Sequence, residues 1–483
     1  MGLGLNGGGL EAARFLVAQG AQVTVTDLRD EKALRPSLEA LEDLPIRFVL
    51  GKHEIEDFKK ADFVIKNPAV KPDSPYLAVA KQIETDISIF LQENKARLSA
   101  VTGSKGKSST SSALHWALTH IRKKVAAGEG TTVGSEPILK GQAYLGGNIT
   151  LSPLSFLNQL SAEDDVVLEL SSWQLGDLKG RVTAETEPDR DANKGKALLK
   201  PRLAIITTIL PDHLDRYGTM EAYVADKKVI YQGQDSQDAT IVGSDTWGRT
   251  FALETGGRPR IYQTYLAGET SPRNGSLDGW IEGPRGPGLA RLQDGRIVEV
   301  VPENPLIPGP HQKQNLLACA LGLLDLGLDP QLIREALGSF PGIEHRLEFF
   351  YENRGIRFYN DTAATIPEAA AAAILAFEKA PILITGGTDK NLDFRPLAEA
   401  CKQSKHIILL AGTGTDKLLG LLQAAGIPYK GPFDNLDRAV LTALELSQKG
   451  DNVVLSPGCT SFGMFLNEFD RGRKWKEAVL RLA

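Results

Sequence analysis

A glycine-rich turn between an apolar run and a helix-like stretch is the feature that most constrains the fold of this chain. The turn lies in the segment Val101-Thr102-Gly103-Ser104-Lys105-Gly106-Lys107-Ser108-Ser109, after the apolar residues 98–102 and before the helix-like residues 110–118. Backbone N–H groups of such a turn, together with the positive end of the helix dipole, bind phosphate oxygens. The segment therefore predicts an α/β fold with an ATP-binding loop, and the alternative is a turn of the same composition that binds nothing.

The residues of the predicted ATP-binding loop are Gly103, Ser104, Lys105, Gly106, Lys107, Ser108 and Ser109. In such a loop Lys107 neutralises the β- and γ-phosphates, and the hydroxyl of Ser108 holds magnesium. The spacing between the first glycine and Gly106-Lys107 is shorter than in the general G-x-x-x-x-G-K-[ST] pattern. This difference restricts the families of ATP-binding proteins to which the loop can belong.

Two further polar segments follow apolar runs that predict strands. Glu169 begins the segment Glu169-Leu170-Ser171-Ser172-Trp173-Gln174, at the end of the run 166–170, and His213 follows the run 204–209. Parallel strands end at one edge of a sheet, so we expect both side chains near the ATP-binding loop. There they could complete a magnesium site, although Mg²⁺ prefers oxygen ligands and a histidine after Asp212 could instead belong to a helix N-cap.

The first residues predict a second nucleotide-binding element. Gly2–Gly9 is rich in glycine and leads into the helix-like Leu10–Leu16 and then the strand-like Val23–Asp27, which ends in an acid. Glycines let the backbone approach a diphosphate, and an acid about twenty residues later can reach a ribose or a base. No strand precedes these glycines, so we expect a truncated start or a lost first strand, and a first domain that is frayed or incomplete.

At 483 residues the chain is too long for one core, because single cores stop growing at about 250–300 residues. We predict three α/β domains, with boundaries at 1–92, 93–341 and 342–483. In the last of these, the apolar runs 382–384, 407–410 and 453–455 predict a parallel sheet. Two stretches depart from this pattern: Gly180–Pro201 is interpreted as a surface insertion, and Gly268–Pro310 as irregular strands or loops.

The composition excludes several classes of protein. A net charge of -5 and 42% hydrophobic residues fit an ordinary globular protein with no general attraction to nucleic acid. The three cysteines, Cys319, Cys401 and Cys459, are too few for a disulfide framework or a zinc cluster. No apolar run is long enough to span a membrane. We therefore expect a cytoplasmic protein with small-molecule substrates.

Motifs spread over the whole chain resemble those of the Mur ligase family, and most of all its D-glutamate-adding member. The resembling segments, in chain order, are Gly2–Gly7 with Asp27-Leu28-Arg29, Thr102–Ser109, Gly146–Ile149, Glu169–Gln174, Asp212–Tyr217 with Tyr223–Lys227, Gly309–His311 with Asn315, Glu344–Glu348, Asn360–Thr362 with Thr365, Gly386–Lys390, and Leu455–Pro457 with Ser461-Phe462.

This resemblance implies an N-terminal Rossmann-like domain for the UDP part of a substrate, a central P-loop ATPase-like domain and a C-terminal Rossmann-like domain. It implies that ATP and two magnesium ions convert the carboxylate of UDP-N-acetylmuramoyl-L-alanine into an acyl phosphate, which the amine of D-glutamate then attacks. A monomer is also expected.

The resemblance assigns roles to individual residues. The implied catalytic residues are Lys107, Asn148, His213 and Lys227. ATP would also contact Asn315, Arg346 and Asp361. The UDP substrate would contact Leu5, Asn6, Asp27, Arg29, Asn148, Ser171 and Gln174. D-glutamate would contact Thr365, Lys390, Ser461 and Phe462. The metal ligands would be Ser108, Glu169, His213 and a carbamylated Lys227, with Lys228 as the alternative lysine if the register is shifted by one residue.

Some positions depart from the family pattern. Ala363 stands where many members have lysine, Ile366 where asparagine is usual, and Glu468 also differs from the common choice. Another Mur-type or folylpolyglutamate-type amide ligase is therefore the nearest alternative function. A catalytically silent nucleotide-sugar-binding relative is a second alternative. A dehydrogenase built on the N-terminal glycines is a weak third, because nothing later in the sequence supplies a hydride site.

Overall fold

The computed structural model describes residues 1–5, 7–128, 140–149, 151–183, 196–264, 277–283 and 286–483. The chain forms two compact units. The first contains residues 1–283, 288–300 and 315–336, and the second consists mainly of 301–314 and 337–483. No helix in the described part of the chain is long and apolar enough to cross a membrane.

The helices of the described residues are α1 (Gly8–Ala18), α2 (Glu31–Glu39), α3 (Ile55–Lys60), α4 (Asp86–Glu93), α5 (Lys107–Ala126), α6 (Ser172–Leu178), α7 (Leu214–Tyr217), α8 (Met220–Lys227), α9 (Val229–Gln232), α10 (Thr246–Glu254), α11 (Pro310–Asp325), α12 (Pro330–Gly338), α13 (Pro367–Ala376), α14 (Arg395–Cys401), α15 (Thr413–Ala424), α16 (Leu436–Leu446) and α17 (Glu468–Leu482).

The N-terminal part of the first unit contains two small parallel sheets. Strand β1 (Val23–Asp27) pairs with β2 (Ile46–Leu50), and β3 (Val64–Ile65) pairs with β4 (Ile83–Glu84). Residues 1 and 2 lie between these sheets: Met1 N donates to the Ile65 carbonyl at 2.9 Å, and Gly2 N donates to the Thr26 carbonyl at 2.8 Å. No strand is assigned among the described residues 1–5. These hydrogen bonds and the burial of Leu3 count against the expected fraying, which stays a prediction.

A nine-stranded sheet forms the centre of the first unit. Its strands, in spatial order, are β13 (Ile297–Val301), β12 (Gly288–Arg291), β11 (Gly279–Ile281), β10 (Arg258–Thr264), β9 (Ala239–Gly243), β8 (Leu203–Ile206), β5 (Arg97–Thr102), β7 (Asp165–Glu169) and β6 (Ala143–Gly147).

Strands β6, β7, β5, β8, β9, β10 and β11 run parallel, and the apolar residues of β5, β7, β8, β9 and β11 are buried. In the register of the sheet, Val101 lies beside Glu169 on one side and Ile205 on the other. The loops that follow β5, β6, β7 and β8 therefore leave the sheet at one edge, which is where parallel α/β sheets bind ligands.

The structure describes parts of the two unusual stretches. Within Gly268–Pro310, the described residues include three regular strands, β11, β12 and β13, and β11 pairs with β12 in antiparallel register. The interpretation as irregular strands or loops is therefore wrong about the regularity of these residues, and 268–276 and 284–285 lie outside the described part. Within Gly180–Pro201, Val182 and Ala197 form a β-bridge, whereas 184–195 lie outside the described residues.

The second unit contains a six-stranded sheet. Its strands, in spatial order, are β14 (Glu348–Asn353), β15 (Ile356–Asn360), β19 (Asn452–Leu455), β16 (Ile382–Thr385), β17 (His406–Leu410) and β18 (Lys430–Phe433). The prediction of a parallel sheet is confirmed for its three strands, β16, β17 and β19, and β15 and β18 also run parallel to them. The edge strand β14, which was not predicted, is antiparallel to β15 because a short turn connects them. Apolar clusters cover both faces of this sheet.

Candidate active site

The predicted ATP-binding loop connects the carboxyl end of β5 to the N-terminus of α5. Gly106 has a left-handed φ of 89°, a conformation that glycine adopts without strain. A Cβ atom at Gly106 would lie 2.5 Å from Oδ1 of Asn315, so the loop and this asparagine are packed together. Helix α5 begins at Lys107, which places Lys107, Ser108 and Ser109 in its first turn, where free backbone N–H groups bind anions.

Hydrogen bonds tie this loop to the segment that follows β8. The hydroxyl of Ser104 donates to the Leu210 carbonyl at 2.8 Å, and Leu210 N donates to Ser104 Oγ at 2.9 Å. The hydroxyl of Thr207 donates to the Lys105 carbonyl at 2.6 Å. Because the same segment continues to His213, these bonds fix the histidine's segment against the phosphate loop.

Two lysine side chains converge on one carbonyl oxygen of the loop. The ammonium groups of Lys107 and Lys227 donate to the Gly103 carbonyl at 3.0 and 2.8 Å. Burial, and secondarily the charge of Lys107, lowers the pKa of Lys227 to about 7, while Asp212 and Asp226 oppose this change. Burial also lowers the pKa of Lys107, and Glu169 opposes that effect. Both amines therefore give up protons more readily than exposed lysines do.

The structure distinguishes Lys227 from its neighbour. Lys227 ends α8, is 1% exposed and lies 4.7 Å from the ring centroid of Tyr223. Lys228 instead forms an ion pair with Glu254 at 2.7 Å. Of these two lysines, only Lys227 contacts the predicted ATP-binding loop, which favours Lys227 for the predicted role.

Glu169 and Asn148 form a pair at the ends of neighbouring strands. Asn148 follows β6, and its Nδ2 donates to Oε1 of Glu169 at 2.9 Å. The two backbones are so close that a Cβ at Gly147 would lie 2.2 Å from the Glu169 carbonyl oxygen. Glu169 is 1% exposed and forms no ion pair among the described residues. A buried carboxylate without an ion-pair partner among the described residues fits a divalent cation, and Ser108 on α5 offers a hydroxyl oxygen of the kind that magnesium binds.

His213 lies at the N-terminus of α7 with a left-handed φ of 53°. Its imidazole is 5.1 Å from the ring of Trp173 and 6.4 Å from the ring of Tyr223, measured between centroids. The guanidinium carbon of Arg216 is 4.3 Å from the centroid of the Trp173 ring. The histidine therefore belongs to an aromatic cluster beside Lys227.

One cleft of about 1350 Å³ connects these groups with the N-terminal glycines. Residues that line it include Leu5, Arg29, Lys107, Asn148, Ser171, Gln174, His213 and Lys227. Asn6, which was also predicted to contact substrate, lies outside the described residues. Ser171 and Gln174 cap α6 reciprocally: Gln174 N donates to Ser171 Oγ at 3.2 Å, and Ser171 N donates to Gln174 Oε1 at 3.0 Å. The cleft thus joins a predicted phosphate loop to a predicted nucleotide pocket.

Asp27 closes one end of the nucleotide region. Its carboxylate accepts hydrogen bonds from Gly4 N at 3.2 Å and Arg29 N at 2.9 Å, and it pairs with the Arg29 guanidinium. Burial acts to raise the pKa of Asp27, but the hydrogen bonds from Arg29 and Gly4 outweigh it and keep the pKa below its ordinary value. A second cleft of about 460 Å³, lined by residues that include Asp27, Arg29, His53 and Tyr76, adjoins this group.

The second unit contains the other predicted ATP contacts. Asp361 accepts hydrogen bonds from the Ser456 hydroxyl at 2.6 Å and from Leu347 N at 3.0 Å. Burial raises the pKa of Asp361 to about 7, against these hydrogen bonds and the charge of Arg346. Arg346 itself is exposed.

The predicted D-glutamate contacts lie on loops of the same unit. Thr388 forms a β-bridge with Thr460, and its hydroxyl donates to the Phe462 carbonyl, so two of these loops are joined. Ser461 is buried, whereas Phe462 is 60% exposed. Lys390 is exposed and makes no hydrogen bond or ion pair within the described ranges. Their shared role stays a prediction.

Comparisons with known protein families cover most of the chain. Residues 1–89 match the Mur ligase MurD-like N-terminal domain, residues 101–321 match the Mur ligase middle domain, and residues 345–459 match the Mur ligase glutamate ligase domain. The chain belongs to the Mur ligase family. The three matched segments give it the three-domain architecture of that family.

Several relatives resemble this Mur ligase along its whole length. A protein of Treponema pallidum is 40% identical and covers 99% of this chain, which covers 96% of the relative; a protein of Roseiflexus is 39% identical, with coverages of 99% and 97%. Both relatives are named UDP-N-acetylmuramoylalanine–D-glutamate ligase. Among solved structures, UDP-N-acetylmuramate-alanine ligase of Thermotoga maritima has a TM-score of 0.53 at 19% identity, covering 100% of this chain and 98% of that one. At this identity the likeness concerns the fold.

The structure of this Mur ligase also shows site residues that the sequence reasoning missed. Tyr223 lies beside Lys227, and its hydroxyl is 3.0 Å from Ser104 Oγ. Trp173 and Arg216 form a stack next to His213. The helical spacing of four residues between Tyr223 and Lys227 was a usable signal, because residues four apart share a helix face. Nothing in the sequence indicated the stack of Arg216 on Trp173.

Proposed function

We propose that this Mur ligase joins D-glutamate to UDP-N-acetylmuramoyl-L-alanine at the expense of ATP, in the cytoplasmic assembly of peptidoglycan precursors. The relatives that bear this activity in their names are 37–40% identical over nearly the whole chain. The observation that carries the proposal is the cleft that collects Lys107, Asn148, Ser171, His213 and Lys227. Such a cleft can hold a triphosphate beside a substrate carboxylate.

The proposed reaction has two steps. A carboxylate oxygen of the L-alanyl group attacks the γ-phosphorus of ATP, which gives an acyl phosphate and ADP. The amine of D-glutamate then attacks the acyl carbon, an amide bond forms, and inorganic phosphate leaves while the amine loses a proton. Both steps move negative charge between crowded oxygens, so fixed positive groups lower their barriers.

Different residues of the first unit would bind the phosphates, orient the carboxylate of Glu169 and contact the UDP substrate. The loop Gly103–Gly106 and the first turn of α5 would bind the phosphates, in the manner of a P-loop ATPase-like domain. Lys107 would neutralise the oxygens of the transferred phosphoryl group. Asn148 would orient the carboxylate of Glu169, to which it already donates a hydrogen bond. Ser171 and Gln174 would contact the diphosphate of the UDP substrate, and Asp27 with Arg29 its uracil, in a Rossmann-like N-terminal domain.

Ser108, Glu169, His213 and a carbamylated Lys227 would hold two magnesium ions. When bound, the ions would neutralise charge on the phosphates and on the acyl oxygen. The fit rests on Glu169, a buried carboxylate that no cation pairs with in the described part of the chain.

The environment of Lys227 supports its carbamylation. Carbon dioxide adds only to a neutral amine, and a lysine whose pKa is lowered to about 7 is neutral far more often at pH 7 than an ordinary lysine. The addition converts a buried cation into an anion and removes its repulsion with Lys107. Both changes favour the modified state next to a divalent cation.

The second unit would supply the remaining contacts, in a Rossmann-like C-terminal domain. Arg346 and Asp361 would contact ATP, together with Asn315 of the first unit. Thr365, Lys390, Ser461 and Phe462 would bind the carboxylates of D-glutamate. These roles rest on the family resemblance, and Ala363 and Ile366 are the positions where the acceptor site departs from it. We also propose that the enzyme acts as a monomer.

Phosphate release by the purified protein tests this function. The assay contains ATP, magnesium and UDP-N-acetylmuramoyl-L-alanine, and each candidate acceptor is added in turn: D-glutamate, L-glutamate, L-alanine and a diamino acid. Release that depends on D-glutamate is expected, with Lys107→Met as the inactive control. Release with another acceptor alone would overturn the choice of D-glutamate. Absence of release with every acceptor, together with tight binding of the UDP substrate, would favour a catalytically silent relative.

A further inference from the structure

Trp173 makes two ring contacts beside the cleft. It lies in the first turn of α6 and lines the cleft. Its ring is 5.1 Å from the imidazole of His213, at an interplanar angle of 52°. The guanidinium of Arg216 lies over the same indole at 4.3 Å. The indole therefore contacts two side chains of the segment that follows β8.

Little else holds the imidazole of His213. The side chain is 45% exposed, and the carboxylate oxygen of Asp212 is 3.9 Å from Nε2, beyond hydrogen-bonding distance. Within the described ranges no side-chain hydrogen bond to this ring is seen, and the ring of Tyr223 is farther away, at 6.4 Å. Of the ring contacts and side-chain hydrogen bonds within the described ranges, the packing against Trp173 is thus the closest one that can orient the imidazole.

Trp173 is itself held by packing. Its indole nitrogen is buried and has no hydrogen-bond partner in the part of the chain that the structure describes. Replacing the indole with a phenyl ring would therefore break no protein hydrogen bond. Phenylalanine keeps an aromatic face for both neighbours, whereas leucine removes it, so the two substitutions separate the ring contact from other effects.

We propose that Trp173 is a positioning residue: its indole, with Arg216 on it, fixes the imidazole of His213 in the orientation that a divalent cation requires. The proposal rests on the proposed function of His213 as a metal ligand. A ligand side chain binds a metal well only when its rotamer is held in place beforehand. In this site the aromatic contact with Trp173 would hold the imidazole, and the cation–π contact with Arg216 would hold the indole. Other metal sites use a hydrogen bond for the same purpose.

Binding of Mn²⁺, measured by electron paramagnetic resonance with a non-hydrolysable ATP analogue present, tests this inference. Trp173→Leu should weaken Mn²⁺ binding roughly five- to tenfold, as expected for a lost aromatic contact. Trp173→Phe should stay close to the wild type. Trp247→Leu is the matched control, because Trp247 stacks on Phe251 in α10 and does not line the cleft. The affinity for the UDP substrate, measured by calorimetry, should be unchanged in all three variants.

A double-variant comparison separates this inference from the proposed function. In a His213→Ala background, Trp173→Leu should cause no further loss of Mn²⁺ affinity. If His213→Ala alone leaves Mn²⁺ binding unchanged, the metal role of His213 fails, and the inference fails with it. If His213→Ala weakens binding but Trp173→Leu does not, only the inference fails. Equal losses of affinity for Mn²⁺ and the UDP substrate would also overturn it, since Trp173 would then shape the whole cleft. Should Trp173→Leu not fold, Trp173→Met takes its place.

Discussion

Replacing Lys227 with methionine should stabilise the protein while abolishing its activity. The side chain of Lys227 is 1% exposed, and burial together with Lys107 lowers its pKa from 10.5 to about 7. The native state thus holds this ammonium group at a cost that the unfolded chain does not bear. Methionine has a similar length and no charge, so the substitution removes that cost.

The size of the effect follows from the two pKa values. Between pH 7 and 10.5 the unfolded chain binds more protons at Lys227 than the native state, so wild-type stability rises with pH in this window. Burial of the Lys227 amine lowers the free energy of unfolding by about 5 kcal/mol at pH 6 and by about 2 kcal/mol at pH 9. Loss of the hydrogen bond to the Gly103 carbonyl offsets about 1–3 kcal/mol at either pH. The variant should therefore be the more stable protein at pH 6 and nearly equal at pH 9.

Thermal unfolding of wild type and variant between pH 6 and 9 measures this difference. The buffers contain a chelator and are purged of carbon dioxide, so that Lys227 remains a free amine. The gap between the two Tm values of the first unit should shrink by roughly 4–6 °C over the pH range, since the cost falls by about 3 kcal/mol and the unit is large. Lys228→Met is the control, because Lys228 pairs with Glu254 outside the phosphate loop. Parallel pH profiles for wild type and Lys227→Met would refute the reasoning.

Three other substitutions test the site. Lys107→Met should lower phosphate release roughly 10²–10³-fold and leave the circular dichroism spectrum unchanged, because the lysine neutralises charge in the transition state. Asn148→Leu should raise the half-saturating magnesium concentration roughly 10–100-fold, since the amide orients Glu169; an unchanged magnesium titration would contradict this. Gly106→Ala should raise the KM for ATP about tenfold, because its φ is 89° and its Cβ would lie 2.5 Å from Asn315 Oδ1; steady-state kinetics with varied ATP would show it.

Much of the central site could be predicted because its residues follow strands. Glu169 ends β7, Asn148 follows β6, and the phosphate loop follows β5, so the parallel sheet brings them to one edge. The period of the apolar residues reveals such strands, and the carboxyl ends of parallel strands meet at one edge whatever their order in the sheet. The same reasoning placed β1 at the residues where the structure has it.

Contacts between side chains could not be predicted in this way. The sequence did not distinguish Lys227 from Lys228, because one helical step rotates a side chain by about 100° and only the surrounding fold decides which lysine is buried. It also gave no sign of the Arg216 stack on Trp173, since those residues lie on different helices, α7 and α6. The strands β11, β12 and β13 were missed because glycine and proline dominate the stretch that contains them.

The charged side chains of the cleft share one energetic property. Lys107 and Lys227 share one carbonyl as acceptor, and Glu169 is a buried carboxylate without an ion pair among the described residues. Burying each of these charges away from water costs free energy, and the interactions with the neighbouring groups do not compensate for that cost. Phosphates beside Lys107, a cation beside Glu169 and a carbamate at Lys227 would each supply the missing opposite charge. The groups that lower the stability of the polypeptide are therefore the same groups that can pair with substrates in binding and catalysis. For this reason substitution of Lys227 should raise stability and abolish activity.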